Sequence, residues 1–468
     1  MAEQYSKVMH YFKEISKIPR GSGNTEKIAD YCENFAISKG LSYIRDEADN
    51  VVIFKKGTKN LICLQGHTDM VCEAEEGVCK DFLNEGIEII EENGWLRANK
   101  TTLGADNGAA VAIMLSLLEE NSEDFPSIEA VFTSNEEIGL LGASKLDKSI
   151  LKSDMFINID GEDEGVIIAG CAGGRRETLF LPVQKEKING YEYTLSASGL
   201  SGGHSGVEID RGGANAIKLL GKLLRAVYDK ESSFLADIKG GGRDNVIPAS
   251  IEAVLVFKND KEDFLMKTCE KYSKLFSKQY GETDPNIKVT VKANGTCTRD
   301  AYDFKKLSEI ICEVPNGVME RDENGFVITS LNLGVLESGE GFVKLGFGVR
   351  SSIDAKKEAL CERLKKIAEK YGAKAEESGD YTGWEFKKES KLRDILSREY
   401  SKLTGKDAEI TVIHAGLECG VFSKGKEKFD AVSIGPDMLD IHTPRERMNI
   451  DSFKRTYELV KNVCKALK

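Results

Sequence analysis

The chain has 468 residues, long enough for two or more hydrophobic cores. Apolar residues make up 41% and charged residues 30%, with 8 prolines, which excludes a disordered or fibrous protein. The 77 acidic and 65 basic residues leave a formal charge of -12, a surface that repels phosphate backbones and sets nucleic acid aside as a general partner.

The first residues, MAEQYSKVMHYFKEISKIPR, carry charges throughout, so no secretory signal is expected there. Within and after them, Val8, Tyr11, Phe12, Ile15 and Ile18 recur at helical spacing, and a second helix is expected after Thr25 with Ile28, Cys32 and Phe35 turned inward. His10 reads as a surface or boundary histidine. VVIFKK (51–56) and LICLQ (61–65) are strand candidates, and the second runs directly into Gly66, His67, Thr68 and Asp69. A turn-rich stretch leads to TTLGADNGAAVAIMLSLLEE, with an apolar helix from about Gly108 to Leu118. SIEAVFTS (127–134) is a strand followed by Asn135, Glu136, Glu137 and a helix through Leu141 and Ala143. MFINID (155–160) is a short strand ending in an acid. Strands alternating with helices predict a mostly parallel α/β sheet, where ligands gather beyond the carboxyl ends of the strands. His67, Glu136, Glu137 and Asp160 fall at such ends, and Asp106 lies just before a helix.

The rhythm changes after about residue 185. A strand at 191–202 enters a Gly-rich turn, and 216–228 is strongly helical. Strands at 251–257 and 287–293 flank a helical stretch, and FVKLGFGVRSS precedes a helix from about Asp354 to Lys370. This middle region fits two β-α-β units side by side, with too little residue identity between its halves to assert a duplication. From about 388 the first pattern returns: a helix at 390–403, then EITVIHAGLECGVF, a strand at 429–435 and a closing helix. The expected organisation is one α/β domain from both ends of the chain (1–186 and 388–468) around an inserted domain (187–387).

No apolar run approaches the roughly 18 residues of a membrane span, so no membrane partner is expected. Eleven cysteines read as buried thiols in a reducing cytoplasm. Cys63, Cys72 and Cys79 lack the paired spacing of a structural zinc site.

Two-metal hydrolytic sites need imidazole and carboxylate ligands, a bridging group and a base. The candidates are His67, Asp69, Asp106, Glu136, Glu137, Asp160 and His442. Singly, each also has a plain structural reading: a boundary histidine, a helix cap at Asp106, acids opening a helix at 136–137, a turn acid, a loop histidine. Spacing alone leaves both readings open, because the partners are hundreds of residues apart.

GHTDMV, GADNGAA, TSNEEIGLLGA, INIDGE, SGGHSG, DNVIP, HAGLECG and IHTPRE occur in the same order as in the dinuclear-metal aminopeptidase and carboxypeptidase clan. The chain resembles the aminoacyl-histidine dipeptidase, or peptidase D, branch of the M20 peptidases over essentially its whole length. The resemblance implies a zinc-peptidase-like, mostly parallel sheet sandwiched by helices, with an inserted α+β lid domain. It also implies a cytoplasmic metallodipeptidase acting on unblocked dipeptides, Xaa-His among them, and a homodimer paired through the middle domain.

Residue by residue, the resemblance implies two divalent ions, Zn2+ with Mn2+ or Co2+ as alternatives. His67 and Asp160 would hold one, Glu137 and His442 the other, with Asp106 bridging. Asp69 would orient His67. Glu136 would be the general base, taking a proton from water and returning it to the leaving amine. His204 of SGGHSG would stabilise the oxyanion, or else be a histidine in a polar turn. Arg350 is a candidate clamp for the substrate carboxylate, and Asn245 resembles a substrate-binding asparagine. His414 and Glu418 lie in a loop that similar enzymes bring against the metal centre. Glu418 would meet the free amine or brace the loop. Cys419 is a small buried thiol with no orienting partner for nucleophilic work. The rival readings are an aminoacylase, tripeptidase or carboxypeptidase on the same core, and a catalytically silent metal-binding protein.

Overall fold

The chain LICLQGH becomes a strand because its branched and apolar residues are buried on both faces, as a central parallel strand requires. In the computed structural model, which describes residues 2–468 with side chains from Lys7 onward, this strand, Thr58–His67, pairs in parallel with Pro126–Thr133 and with Met155–Asn158. Asp430–Ser433 adds a further parallel strand beside Met155–Asn158. Among the described residues the sheet has eight strands, and it is mixed: Ser42–Arg45 and Val51–Lys55 extend one side antiparallel, and Val166–Cys171 and Glu409–Ile413 complete the other. The parallel centre matches the alternation of strands and helices. The antiparallel edge arises because Val51–Lys55 and Thr58–His67 are joined by too short a link for a parallel crossover.

Register decides where the chemistry lies. His67 stands opposite Thr133, and Gln65 opposite Asn158. Three parallel strands therefore finish level, and the residues just beyond them share one edge. The helix Ala105–Leu118 is apolar around its whole circumference and buried from Asn107 to Leu118, as such a helix must be. It lies close on the sheet at Gly66, where an added Cβ would collide with the Cβ of Ala110. A four-stranded antiparallel sheet joins Ile89–Glu92, Trp95–Ala98, Arg447–Asn449 and Met438–Leu439. The sequence reading passed over it because its strands are only two to four residues long and partly exposed. It carries the 440–446 loop on one connection and leads into Asp106 on another.

The chain forms two units. Met1–Cys171, Trp384–Val412 and Leu417–Lys468 make the first, and Ala172–Gly383 with Ile413–Gly416 the second. In the second, the strand order is Lys288–Ala301, Glu186–Ser198, Ile251–Phe257, Phe234–Gly241, Val327–Ser338, Phe342–Ser351, Gly173–Pro182, Lys374–Tyr381, with Gly317–Arg321 beside Val327–Ser338. Numbered within each half, both halves follow the order 4-1-3-2 of a split β-α-β fold. The repeat is topological, with the first half inserted after Gly173–Pro182, so weak residue identity was a poor guide to it. Among the described residues, the strands of this sheet pair antiparallel.

Among the described residues no helix is long and apolar enough to cross a membrane. Of the free thiols, Cys32, Cys63, Cys171, Cys269, Cys361, Cys419 and Cys464 are buried, whereas Cys79 and Cys312 are exposed.

Candidate metal centre and active site

The first unit brings His67, Asp106, Glu137, Asp160 and His442 together. Asp106 turns one carboxylate oxygen to each imidazole: Oδ1 is 3.0 Å from His67 Nε2 and Oδ2 is 3.0 Å from His442 Nε2. Asp160 Oδ1 lies 3.5 Å from His67 Nε2, and Glu137 Oε1 lies 3.0 Å from His442 Nε2. Asp106 is not the helix cap: both its carboxylate oxygens face imidazoles, and the capping bond is made by Asn107 Oδ1, which accepts from Ala110 N–H at 3.3 Å. Asn107, unremarked in the sequence beyond its place in GADNG, donates from Nδ2 to Asp160 Oδ1 at 2.6 Å.

Two of these side chains are aimed by left-handed backbone. Asn135, at φ 52°, redirects the chain after Pro126–Thr133 into Glu136 and Glu137, and His442 itself sits at φ 58°. Such conformations cost non-glycine residues on the order of 1–3 kcal/mol each and persist where the surroundings hold them.

Asp69 holds the cluster from behind. Its carboxylate accepts the Ser22 hydroxyl at 2.7 Å and the backbone N–H groups of Glu136 and Glu137 at 3.0 and 3.4 Å. His67 Nδ1 is 3.1 Å from the Asp69 carbonyl and 3.5 Å from its carboxylate. The nearer acceptor is therefore the backbone oxygen. Either acceptor places the proton on Nδ1 and leaves Nε2 facing the acids.

The electrostatics suit a cation. Burial pulls the His67 imidazole down, yet its hydrogen bonds to the Asp106, Asp160 and Asp69 carboxylates outweigh it and hold its pKa well above the usual range. Asp106 and Glu137 push that of His442 up to about 11. Burial works against Asp106, but His442 and His67 hold its carboxyl below the usual range. Glu136, stripped of water and close to Asp160, Glu418 and Glu137, is raised well above an ordinary glutamate. Among the described residues, His67, Asp106 and Glu137 each offer a ligand atom, all within 4.8 Å of one another. Imidazole with carboxylate is a donor set for zinc, manganese or cobalt, so the residues fit a divalent metal.

Glu418 is fully buried. Its Oε2 accepts from Thr133 Oγ1 at 2.7 Å and from Gln65 Nε2, while Oε1 has no partner. Burial, against the pull of His67, pushes its carboxyl up to about 8. An acid with no exposed surface, tied to two adjacent strand ends, braces the site.

The second unit holds His204, Asn245, Arg350 and His414. Ser205 N–H donates to the Asn245 carbonyl at 2.8 Å, and His204 bridges to Val246. His204 Nδ1 accepts from the N–H groups of Gly206 and Val207 at 3.2 and 3.3 Å, which leaves Nε2 as the protonated, donating nitrogen. Burial and the Arg350 charge lower its pKa and keep it neutral. Arg350 NH1 donates to the Tyr381 hydroxyl at 3.0 Å. His414 Nε2 is 2.7 Å from Ser330 Oγ, and burial with Arg350 pushes it down to about 4. Sequence reasoning missed Arg20, Gln65, Asn107 and Glu446, all buried or half-buried polar residues whose partners are remote in sequence.

Comparison with known proteins accords with this geometry. The chain is 33% identical over 467 residues to the cytosol non-specific dipeptidase of Escherichia coli K12, covering 97% of this chain and 96% of that one. It superposes on the crystal structure of aminoacylhistidine dipeptidase from Vibrio alginolyticus with a TM-score of 0.93 at 32% identity, covering 99% and 96% of the two chains. An M20 family metallo-carboxypeptidase from Sulfolobus solfataricus shares the fold at a TM-score of 0.57 and 15% identity, covering 98% and 99%. Residues 63–466 match the family described as peptidase family M20/M25/M40, and the chain, with its cation-suited cluster of imidazoles and carboxylates, belongs to this family of metallopeptidases.

Proposed function

We propose that the protein is a two-metal dipeptidase that hydrolyses unblocked dipeptides, Xaa-His included. The observation that carries this reading is the Asp106 carboxylate, which gives one oxygen to each of two imidazoles from opposite ends of the chain. Its relatives' names, a non-specific dipeptidase and an aminoacylhistidine dipeptidase, support the substrate class. His67 and Asp160 would hold one ion, Glu137 and His442 the other, with Asp106 shared. Bound there, two divalent ions, Zn2+ or alternatively Mn2+ or Co2+, supply Lewis acidity that lowers the pKa of water and polarises the peptide carbonyl.

The chain's own groups do the remaining work. Glu136, held by its backbone N–H on Asp69, takes the proton from the attacking water and delivers it to the leaving nitrogen. Burial and the neighbouring acids raise its affinity for a proton. His204, neutral with its Nε2–H free to donate, is the proposed oxyanion donor. Arg350 is assigned to the substrate carboxylate, and Asn245 and His414 to substrate positioning beside His204. We further propose that the first unit is the catalytic domain and the second an inserted lid domain, with a cytoplasmic location and a homodimer.

The test is a panel of dipeptides including β-Ala-His, tripeptides and N-acetyl amino acids, assayed after chelation and readdition of single metals. Hydrolysis of dipeptides alone, restored by Zn2+, Mn2+ or Co2+, is expected. Turnover that survives chelation, or that favours N-acetyl amino acids, overturns the reading.

A further inference from the structure

IHTPRE ends in an acid that the proposed chemistry does not use. Glu446 is 2% exposed, and four successive backbone N–H groups converge on its carboxylate. Oε2 accepts from Leu103 and Gly104 at 2.7 and 2.9 Å, and Oε1 from Ala105 and Asp106 at 2.7 and 3.3 Å. Ala105 and Asp106 are the first two residues of the helix Ala105–Leu118, whose opening N–H groups lack partners within the helix, and Leu103 and Gly104 lie just before it. The anion that fills this nest comes from a segment 340 residues away.

The same turn is held from its other side. Arg20, also 2% exposed, donates to the carbonyls of Thr68 and Asp69 at 2.9 and 3.2 Å and to that of Gly104. Gly104 sits at φ 68°, and a Cβ there would strike the Arg20 guanidinium and Met70. One buried acid and one buried base thus grip the N–H and carbonyl faces of the loop that presents Asp106. Because Glu446 lies four residues after His442, its grip also ties the His442 loop to that carboxylate.

We propose that Glu446 is a positioning residue that presets Asp106 against His442, and so sets the affinity of the ion those two residues share. The inference rests on the two-ion reading above. The site calls for a carboxylate in particular: all four partners are donors, and an amide would turn its own NH2 toward two of them.

The test is calorimetric titration of chelator-treated protein with Mn2+, comparing the wild type with Glu446→Gln and Glu446→Asp, alongside the melting temperature of each metal-free protein. Groups that orient metal ligands typically change affinity about 10–100-fold. Glu446→Gln is expected to lose affinity for one ion by that factor, with the other within about threefold. Glu446→Asp, which keeps the charge, should recover part of the loss. Excess Mn2+ should restore kcat without changing KM. Wild-type affinity for both ions in Glu446→Gln overturns the proposal. So does a pair of variants that unfold, since that assigns Glu446 to folding alone. If the wild type takes up a single ion, the two-ion reading fails, and Glu446 is then judged on the affinity for that ion.

Discussion

At the scale of single residues, the adjacent acids Glu136 and Glu137 do different things because one backbone turn sends them in different directions. Both donate their N–H groups to Asp69, but only the Glu137 carboxylate reaches His442. Glu136→Gln should therefore keep metal uptake, measured by titration, and lose kcat by about 10²–10⁴-fold, the usual contribution of a general acid–base group. Retained turnover would remove Glu136 from the mechanism. Asp69→Asn makes a contrasting case. An amide cannot accept from Ser22 and from two backbone N–H groups while facing His67, so metal affinity should fall about 10–100-fold. A variant that binds Mn2+ as tightly as the wild type would show that the Asp69 carbonyl alone orients His67. That these residues form one cluster was legible in the sequence because short polar motifs interrupt apolar runs. Glu446 and Arg20 were not, since a buried charged residue looks the same in sequence as a solvated one until its partners are known.

At the scale of elements, the site depends on how tightly the helix Ala105–Leu118 lies on the strand Thr58–His67. Gly66 is the point of closest approach, and its missing side chain lets Ala110 dock. Gly66→Ala should force helix and strand apart, at a cost of about 1–3 kcal/mol as for other overpacked cores. Since His67 and Asp106 lie on the two elements being separated, kcat/KM should fall by more than the loss of folded protein explains. Urea unfolding and kinetics on the same preparation check this, and an unchanged kcat/KM would mean that the loops absorb the shift. The long, strongly patterned elements, such as this helix and the central strands, could be read from periodicity. The short strands Trp95–Ala98 and Arg447–Asn449 could not, because four or fewer half-exposed residues carry no period. Yet that small sheet is what brings the His442 loop and the Asp106 loop to adjacent connections.

For the molecule as a whole, the two units carry chemically different polar centres and should answer to different perturbations. Divalent ions bound by the first unit would stabilise it by mass action, about 2.7 kcal/mol at a hundredfold excess over Kd. Chelation should therefore speed amide exchange chiefly in the strands around His67. The second unit has its own acid sensitivity through His414, which is buried against Ser330 with Arg350 opposing its charge. Its pKa is pushed down to about 4 from an ordinary 6.5, so the folded chain binds fewer protons than the unfolded chain between those values. Stability from this group is complete above about pH 6.5 and is lost as the pH falls toward 4. A shift of that size corresponds to on the order of 3 kcal/mol. His414→Gln, which removes the titration, should flatten the loss of unfolding free energy between pH 7 and 4.5 by about 2–3 kcal/mol. Amide exchange should place the difference in Val327–Ser338 and its neighbours rather than around His67. An unaltered slope in the variant would assign the acid lability to other groups and leave His414 with its hydrogen bond to Ser330 alone.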